Sequence, residues 1–141
     1  MHSHDDIIDF IKNITGSEEV NIDSDIYEDL NVVGDDFHEL IEKWSIKYQV
    51  DMSKYHWYFH ADEEGGWTSI GGIFFKPPYH RVRRIPITPR ILTDFVNNAK
   101  WDLNYPVHTI PIKRFDILIN KVLMGILIIF LLSVLIRKYL F

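Results

Sequence analysis

At 141 residues the chain has room for one modest domain plus an appendage. It has no cysteine, which excludes disulfides and cysteine-based zinc sites. Its charge is lopsided: residues 1–64 carry 17 Asp/Glu against 4 Lys/Arg, a balance of −13, whereas residues 65–141 carry 3 against 11, a balance of +8. An acidic head argues against general nucleic-acid binding, and a basic neck beside an apolar tail suggests contact with anionic lipid head groups.

The opening Met1 to Asp6 has neither a positive region nor a long apolar run, so no signal peptide is expected and the head should stay in the cytoplasm. Asp5 to Ile14 reads as the first helix, with Ile7, Ile8, Phe10, Ile11 and Ile14 on its apolar face, Ser3 or His4 near its cap, and Thr15-Gly16 as its stop. Ser17 to Tyr27 reads as an acidic loop pinned by Val20, Ile22 and Ile26. The second helix is expected from about Asp36 to Tyr48. Phe37, Leu40, Ile41, Trp44 and Tyr48 recur at helical spacing as one apolar stripe, and Glu39, Glu42 and Lys43 lie off it. Asp35 or Asp36 is the expected cap, and Gly34 the turn into it. After Gln49-Val50-Asp51, Ser53 is expected to cap a brief helical turn through Phe59.

The stretch 61–86 is punctuated by Gly65-Gly66, Gly71-Gly72 and Pro77-Pro78, and reads as a loose pair of short extended segments holding Trp67, Ile70, Ile73, Phe74, Phe75, Val82 and Ile85. Thr88-Pro89 opens a further helix with a cap and a proline in the first turn. Leu92, Phe95, Val96 and Ala99 form its expected buried face, and Trp101 closes it. From Ile117 to Ile136 the chain is apolar apart from Asn120, Lys121 and Ser133, a run long enough to cross a bilayer as a helix. Lys113, Arg114 and Lys121 mark its N-terminal flank, Arg137 and Lys138 its C-terminal flank. The slightly larger N-terminal cluster, with Lys100, favours that side as cytoplasmic.

Glu28-Asp29-Leu30, the Gly34-Asp35-Asp36-Phe37 turn and the helix continuing through Leu40 and Ile41 resemble the second-helix motif of the acyl carrier proteins, Glu-Asp-Leu-Gly-x-Asp-Ser-Leu. Asn31 replaces the glycine, one residue is inserted, and Asp36 stands at the serine that carries the phosphopantetheine arm in that family. The Gly-Asp-Asp turn, the Val50-Asp51 exit and the late helix ending in Trp101 resemble an uncharacterised family of small bacterial carrier-like proteins over roughly residues 4–102. The resemblance implies an acyl-carrier-like fold and recognition by basic patches. Asp36 has no hydroxyl to take the arm and would repel its phosphate. Ser17, Ser24 and Ser45 lie outside the motif, so no cofactor is expected.

Other chemistry is weakly signalled. Asp23-Ser24-Asp25 lacks the glycine and glutamate of a calcium loop. His56 and His60 are spaced as helical zinc ligands can be, but Trp57 stands where a metalloprotease helix carries its glutamate, so surface or half-buried histidines are expected. Arg81, Arg83 and Arg84 suit a phosphate or lipid head group, or ion pairs with the acidic head. The expected fold is therefore mostly α. An acyl-carrier-like cytoplasmic domain spans 1–104 with an irregular insertion at about 61–86. A basic juxtamembrane linker at 105–116, a transmembrane helix at 117–136 and a short tail at 137–141 follow. The expected role is a non-enzymatic, single-pass interaction module in the inner membrane. It would dock a protein with a basic surface through Asp35, Asp36, Glu39 and Glu42, and have the lipid bilayer as its other partner. The alternative is a membrane regulator or immunity-type protein whose tail is the functional part.

Overall fold

The computed structural model describes residues 1–64 and 69–140. The turn expected at Gly65-Gly66 and the extended reading of Trp67 lie outside the described residues. Among the described residues the chain is helical and has no strand: α1 (His4–Thr15), α2 (Gly34–Tyr48), α3 (Ile70–Phe74), α4 (Pro89–Asn97) and α5 (Phe115–Leu140). They belong to two compact units. The first comprises 1–64 with 82–108, the second the described residues of 65–81 and 109–141.

In the first unit, α1 packs on α4 and α2. Ser3 and Asp6 form a reciprocal capping box at the start of α1, with the Asp6 N–H on Ser3 Oγ at 3.2 Å and the Ser3 N–H on Asp6 Oδ2 at 2.8 Å. Gly16, at φ 71°, closes the helix by donating to the Lys12 carbonyl at 2.9 Å. The stripe read along α2 is the centre of the core: Phe37, Leu40 and Trp44 are fully buried, and Ile41 nearly so. Ile7 and Ile11 of α1, Leu92 of α4, and Trp101 complete it. The Trp101 ring meets Trp44, Phe95 and Tyr55, with centroids 6.1, 4.6 and 4.7 Å away.

Several local expectations are corrected. α2 begins at Gly34 rather than Asp36, and its cap residue is Val33, which offers no side-chain acceptor. Asp35 and Asp36 sit in the first turn, where their charge suits the positive end of the helix dipole. Gly34 lies at φ 54°, so the backbone itself requires glycine at this entry. The helical turn at Trp57–Phe59 is a short 3₁₀ turn led by His56, while Ser53 hydrogen-bonds to Asp51. Ala99 is exposed at φ 54° beyond the end of α4, where it turns the chain toward Trp101. The following residues cross to the α2 exit: Asp51 N–H donates to the Ala99 carbonyl at 3.0 Å, and Trp101 N–H to the Asp51 carbonyl at 2.8 Å.

The second unit overturns the extended reading of Ile70–Phe74. Ile70–Phe74 form α3, with Ser69 Oγ accepting the Gly72 N–H at 2.9 Å as its cap, and Phe75 leaves it in an extended conformation. Pro78–His80 adds a 3₁₀ turn. α3 packs on the first turns of α5. α5 is longer than the expected 117–136 run, and it is the one helix among the described residues long and apolar enough to cross a membrane: Phe115–Tyr139, mean hydropathy 2.6.

Candidate functional site

The apolar stripe of α2 is committed to the core, so its remaining arc is presented outward. Asp35, Asp36, Glu39 and Glu42 are all exposed on it. Glu39 is met by Lys43 from the next turn, both side chains half-exposed or more. Asp35, Asp36 and Glu42 make no ion pair among the described residues. Arg84 is engaged on the preceding loop instead. Arg84 forks onto Asp25, with Nη2 2.5 Å from Oδ2 and Nη1 3.2 Å from Oδ1, and reaches Glu28 at 2.7 Å. Its guanidinium lies 5.0 Å from the Tyr27 ring centroid. Arg90 likewise holds Asp23, from Nε to Oδ1 at 2.7 Å. The two carboxylates of the calcium-like sequence are thus turned to arginines, and Asp25 also accepts the Tyr27 N–H at 3.1 Å. Burial and a 2.8 Å hydrogen bond to the Asp62 carboxylate raise the Tyr27 phenol to about 12.

A cleft of about 230 Å³ opens beside the acidic arc, lined by Ile14 and Thr15 from the end of α1, Leu30 and Asn31 from the loop, and Asp36 and Lys43 from α2. Asn31, at φ 53°, sharpens the loop that walls it. Asp36 brings a carboxylate to this cleft. The hydroxyl there, on Thr15, donates to the Ile11 carbonyl at 2.9 Å and accepts the Ser17 N–H at 3.2 Å. Among the residues lining the cleft Thr15 alone carries a hydroxyl, and the end of α1 holds it.

A second cluster was not legible as such. His60, expected on the surface or half-buried, is completely buried. Its Nδ1 lies 2.9 Å from the Ile85 carbonyl, which can only accept, so Nδ1 carries the proton. Nε2 therefore accepts from the Tyr105 hydroxyl at 2.8 Å. That hydroxyl in turn accepts the Trp101 indole N–H at 2.8 Å and the His56 N–H at 3.3 Å. Burial pushes the His60 imidazole down to about 4, so it is neutral at physiological pH. His108 repeats the arrangement, between the Pro106 carbonyl and the Tyr58 hydroxyl, both at 2.8 Å. Residues 105–108, expected as linker, therefore pack in the first unit. The available signal was the aromatic density from Tyr55 to Phe59 with Trp101 and Tyr105 downstream. His56 and His60 meet at the Tyr105 hydroxyl, the first through its backbone N–H and the second through Nε2, and no group of three His, Cys, Asp or Glu able to hold a metal ion occurs among the described residues.

The expected flanking cations lie in the second unit. Lys113 and Lys121 are exposed, as are Arg137 and Lys138 in the last turns of α5. Arg114 is half-buried and pairs with Asp116, Nη2 to Oδ2 at 2.6 Å. Asn120, the first polar break in the apolar run, has a partner: its Oδ1 accepts the Gly71 N–H at 2.8 Å.

Residues 4–103 match a family described as "Protein of unknown function (DUF1493)". No curated protein and no solved structure matches the chain.

Proposed function

The chain belongs to the DUF1493 family, and from that premise we propose that it is a membrane-tethered, acyl-carrier-like interaction module. In this reading it carries no phosphopantetheine arm, performs no chemistry, and docks a protein with a basic surface through α2. The observation that carries the reading is the exposed carboxylate row. Asp35, Asp36 and Glu42 stand without ion pairs among the described residues, and Arg84 is engaged elsewhere, on Asp25 and Glu28. A row of like charges on a helix otherwise anchored in the core is preorganised for a complementary partner and favours fast, salt-sensitive association. Asp36 at the cleft supports a docking role over a carrier role. α5 is the tether, and the cation excess at Lys100, Lys113, Arg114 and Lys121 over Arg137 and Lys138 supports a head on the cytoplasmic side of a bacterial inner membrane.

The test is a double reversal, Glu39→Lys with Glu42→Lys, in the full chain. Exposed charge pairs contribute about 0.2–1 kcal/mol each to stability, so the melting temperature of the head should hold. Capture of the partner from membranes should fall and lose its salt dependence. Unchanged capture sinks the docking role. A large fall in melting temperature would show that the carboxylates serve the head's own stability.

A further inference from the structure

α3 is built inside out. Its buried residue is Gly71, and its bulky side chains face away: Ile70 is 52% exposed, Ile73 73% and Phe74 74%. A Cβ at Gly71 would lie 1.9 Å from the Asp116 carbonyl oxygen and 3.0 Å from Asn120 Oδ1, so the two backbones touch in a way only glycine permits. The Gly71 N–H to Asn120 hydrogen bond crosses the same contact, and the Phe75 and Phe115 rings meet with centroids 5.6 Å apart. Small residue inward, polar side chain bridging two helices, large apolar side chains outward: this is how helices pack where the surroundings are hydrocarbon, because burial of Ile or Phe between helices gains nothing there. In water the same arrangement would leave Ile73 and Phe74 exposed at a cost that their burial could have recovered.

Charge supplies the second observation. Lys76 and Arg81 follow α3, and Lys113 precedes α5; all three are exposed. With Phe75, Pro78, Pro111 and Phe115 they surround one small cavity at the α3–α5 contact. The outward face of α3 is continuous in sequence with this cationic rim and in packing with the apolar surface of α5.

We infer that α3 is a second membrane-inserted element. It lies in the head-group and upper acyl region of an anionic bilayer, docked by Gly71 on the first turns of α5, with Ile70, Ile73 and Phe74 in lipid and Lys76, Arg81 and Lys113 at the phosphates. This rests on the reading of α5 as a membrane anchor and extends it: the anchor is a helix with a wedge, and the wedge gives it a preference for anionic lipid.

The absence of cysteine makes the test direct. Single variants Glu42→Cys, Ile73→Cys, Phe74→Cys and Ile126→Cys of the full chain each take one nitroxide. They are reconstituted in vesicles of phosphatidylcholine alone or equimolar with phosphatidylglycerol. Collision with oxygen, which concentrates in lipid, is compared with collision with a water-soluble nickel chelate. Labels at 73 and 74 should favour oxygen, as at 126, while the label at 42 favours nickel. Adding phosphatidylglycerol should raise the oxygen preference at 74, and Lys76→Gln with Lys113→Gln should remove that rise. Gly71→Leu should shift the label at 74 toward nickel while leaving 126 unchanged. Nickel-accessible labels at 73 and 74 beside an oxygen-accessible 126 overturn the wedge and spare the anchor. Labels at 73 and 74 shielded from both agents mean a protein surface covers α3, and also overturn it. A nickel-accessible 126 overturns the anchor and the wedge together.

Discussion

α2 and α5 are both rich in large apolar side chains, and they place them oppositely. In α2, Phe37, Leu40 and Trp44 have no exposed surface. In α5, the most apolar window has none of its residues buried, and Ile129 and Phe130 are 69% and 61% exposed. The difference lies in how the polar residues are distributed. α2 carries acidic residues on one arc, so it has a wet face and a dry one and can be covered by α1, α4 and Trp101. α5 is apolar all round, without a wet face and a dry one, and is long and apolar enough to cross a membrane. The same contrast separates two glycines. Gly34 is required by its own backbone, at φ 54°, and Gly71 by the approach of another helix.

The comparison breaks most visibly at the core. Leu40→Ala should destabilise the head by about 2–5 kcal/mol, the usual cost of a cavity at a fully buried leucine. Leu127→Ala, on α5, should leave the denaturant midpoint of the head unchanged. Both are read by tryptophan fluorescence of the full chain in detergent. A fall with Leu127→Ala would show that α5 helps to hold the head together.

The next effect is the pH response of the buried histidine. His60 titrates near 4 in the fold and near 6.5 in the unfolded chain. The unfolded chain therefore binds the extra proton first as pH falls. Stability is undiminished above pH 6.5 and is lost progressively between 6.5 and 4, by roughly 3 kcal/mol in total. Denaturant midpoints across that range check the slope, and an imidazole resonance that stays neutral at pH 5 assigns it. A flat profile above pH 4.5 would mean that His60 is solvated. No such response is expected from α5, which makes the profile a marker of the head alone.

The smallest effect sharpens the contrast of the glycines. Gly34→Ala should cost the head about 1–2 kcal/mol for a side chain in the left-handed region, with Glu64 Cγ, 3.0 Å from the new Cβ, giving way. The measurement is again the denaturant midpoint. A cost near zero would mean that the chain can enter α2 through another backbone conformation.

Residues near one another in sequence decided α1, α2, α4 and the apolar run of α5. Their signals are sums over neighbours: the spacing of Phe37, Leu40, Ile41 and Trp44, the Ser3 cap, Thr88-Pro89, and an unbroken stretch of Leu and Ile. The α2 start, by contrast, moved to Gly34, because a positive φ let the helix begin without an Asp cap. Gly71-Gly72 reads locally as a turn signal between extended segments, which hides the helix at Ile70–Phe74. Its helicity rests on the Ser69 cap and on a hydrogen bond to Asn120, 49 residues away. The fate of His60 depends on Ile85 and Tyr105, 25 and 45 residues downstream, whose carbonyl and hydroxyl make a neutral buried imidazole tolerable. Arg84 could have faced any carboxylate of the acidic head; the packing of 82–88 against the loop at 22–26, tied by the Ile26 N–H to Ile87 carbonyl bond at 3.0 Å, sent it to Asp25. Composition made the α2 arc acidic, but only the tertiary structure left Asp35, Asp36 and Glu42 without ion pairs among the described residues, with Arg84 closed on Asp25 and Glu28 instead.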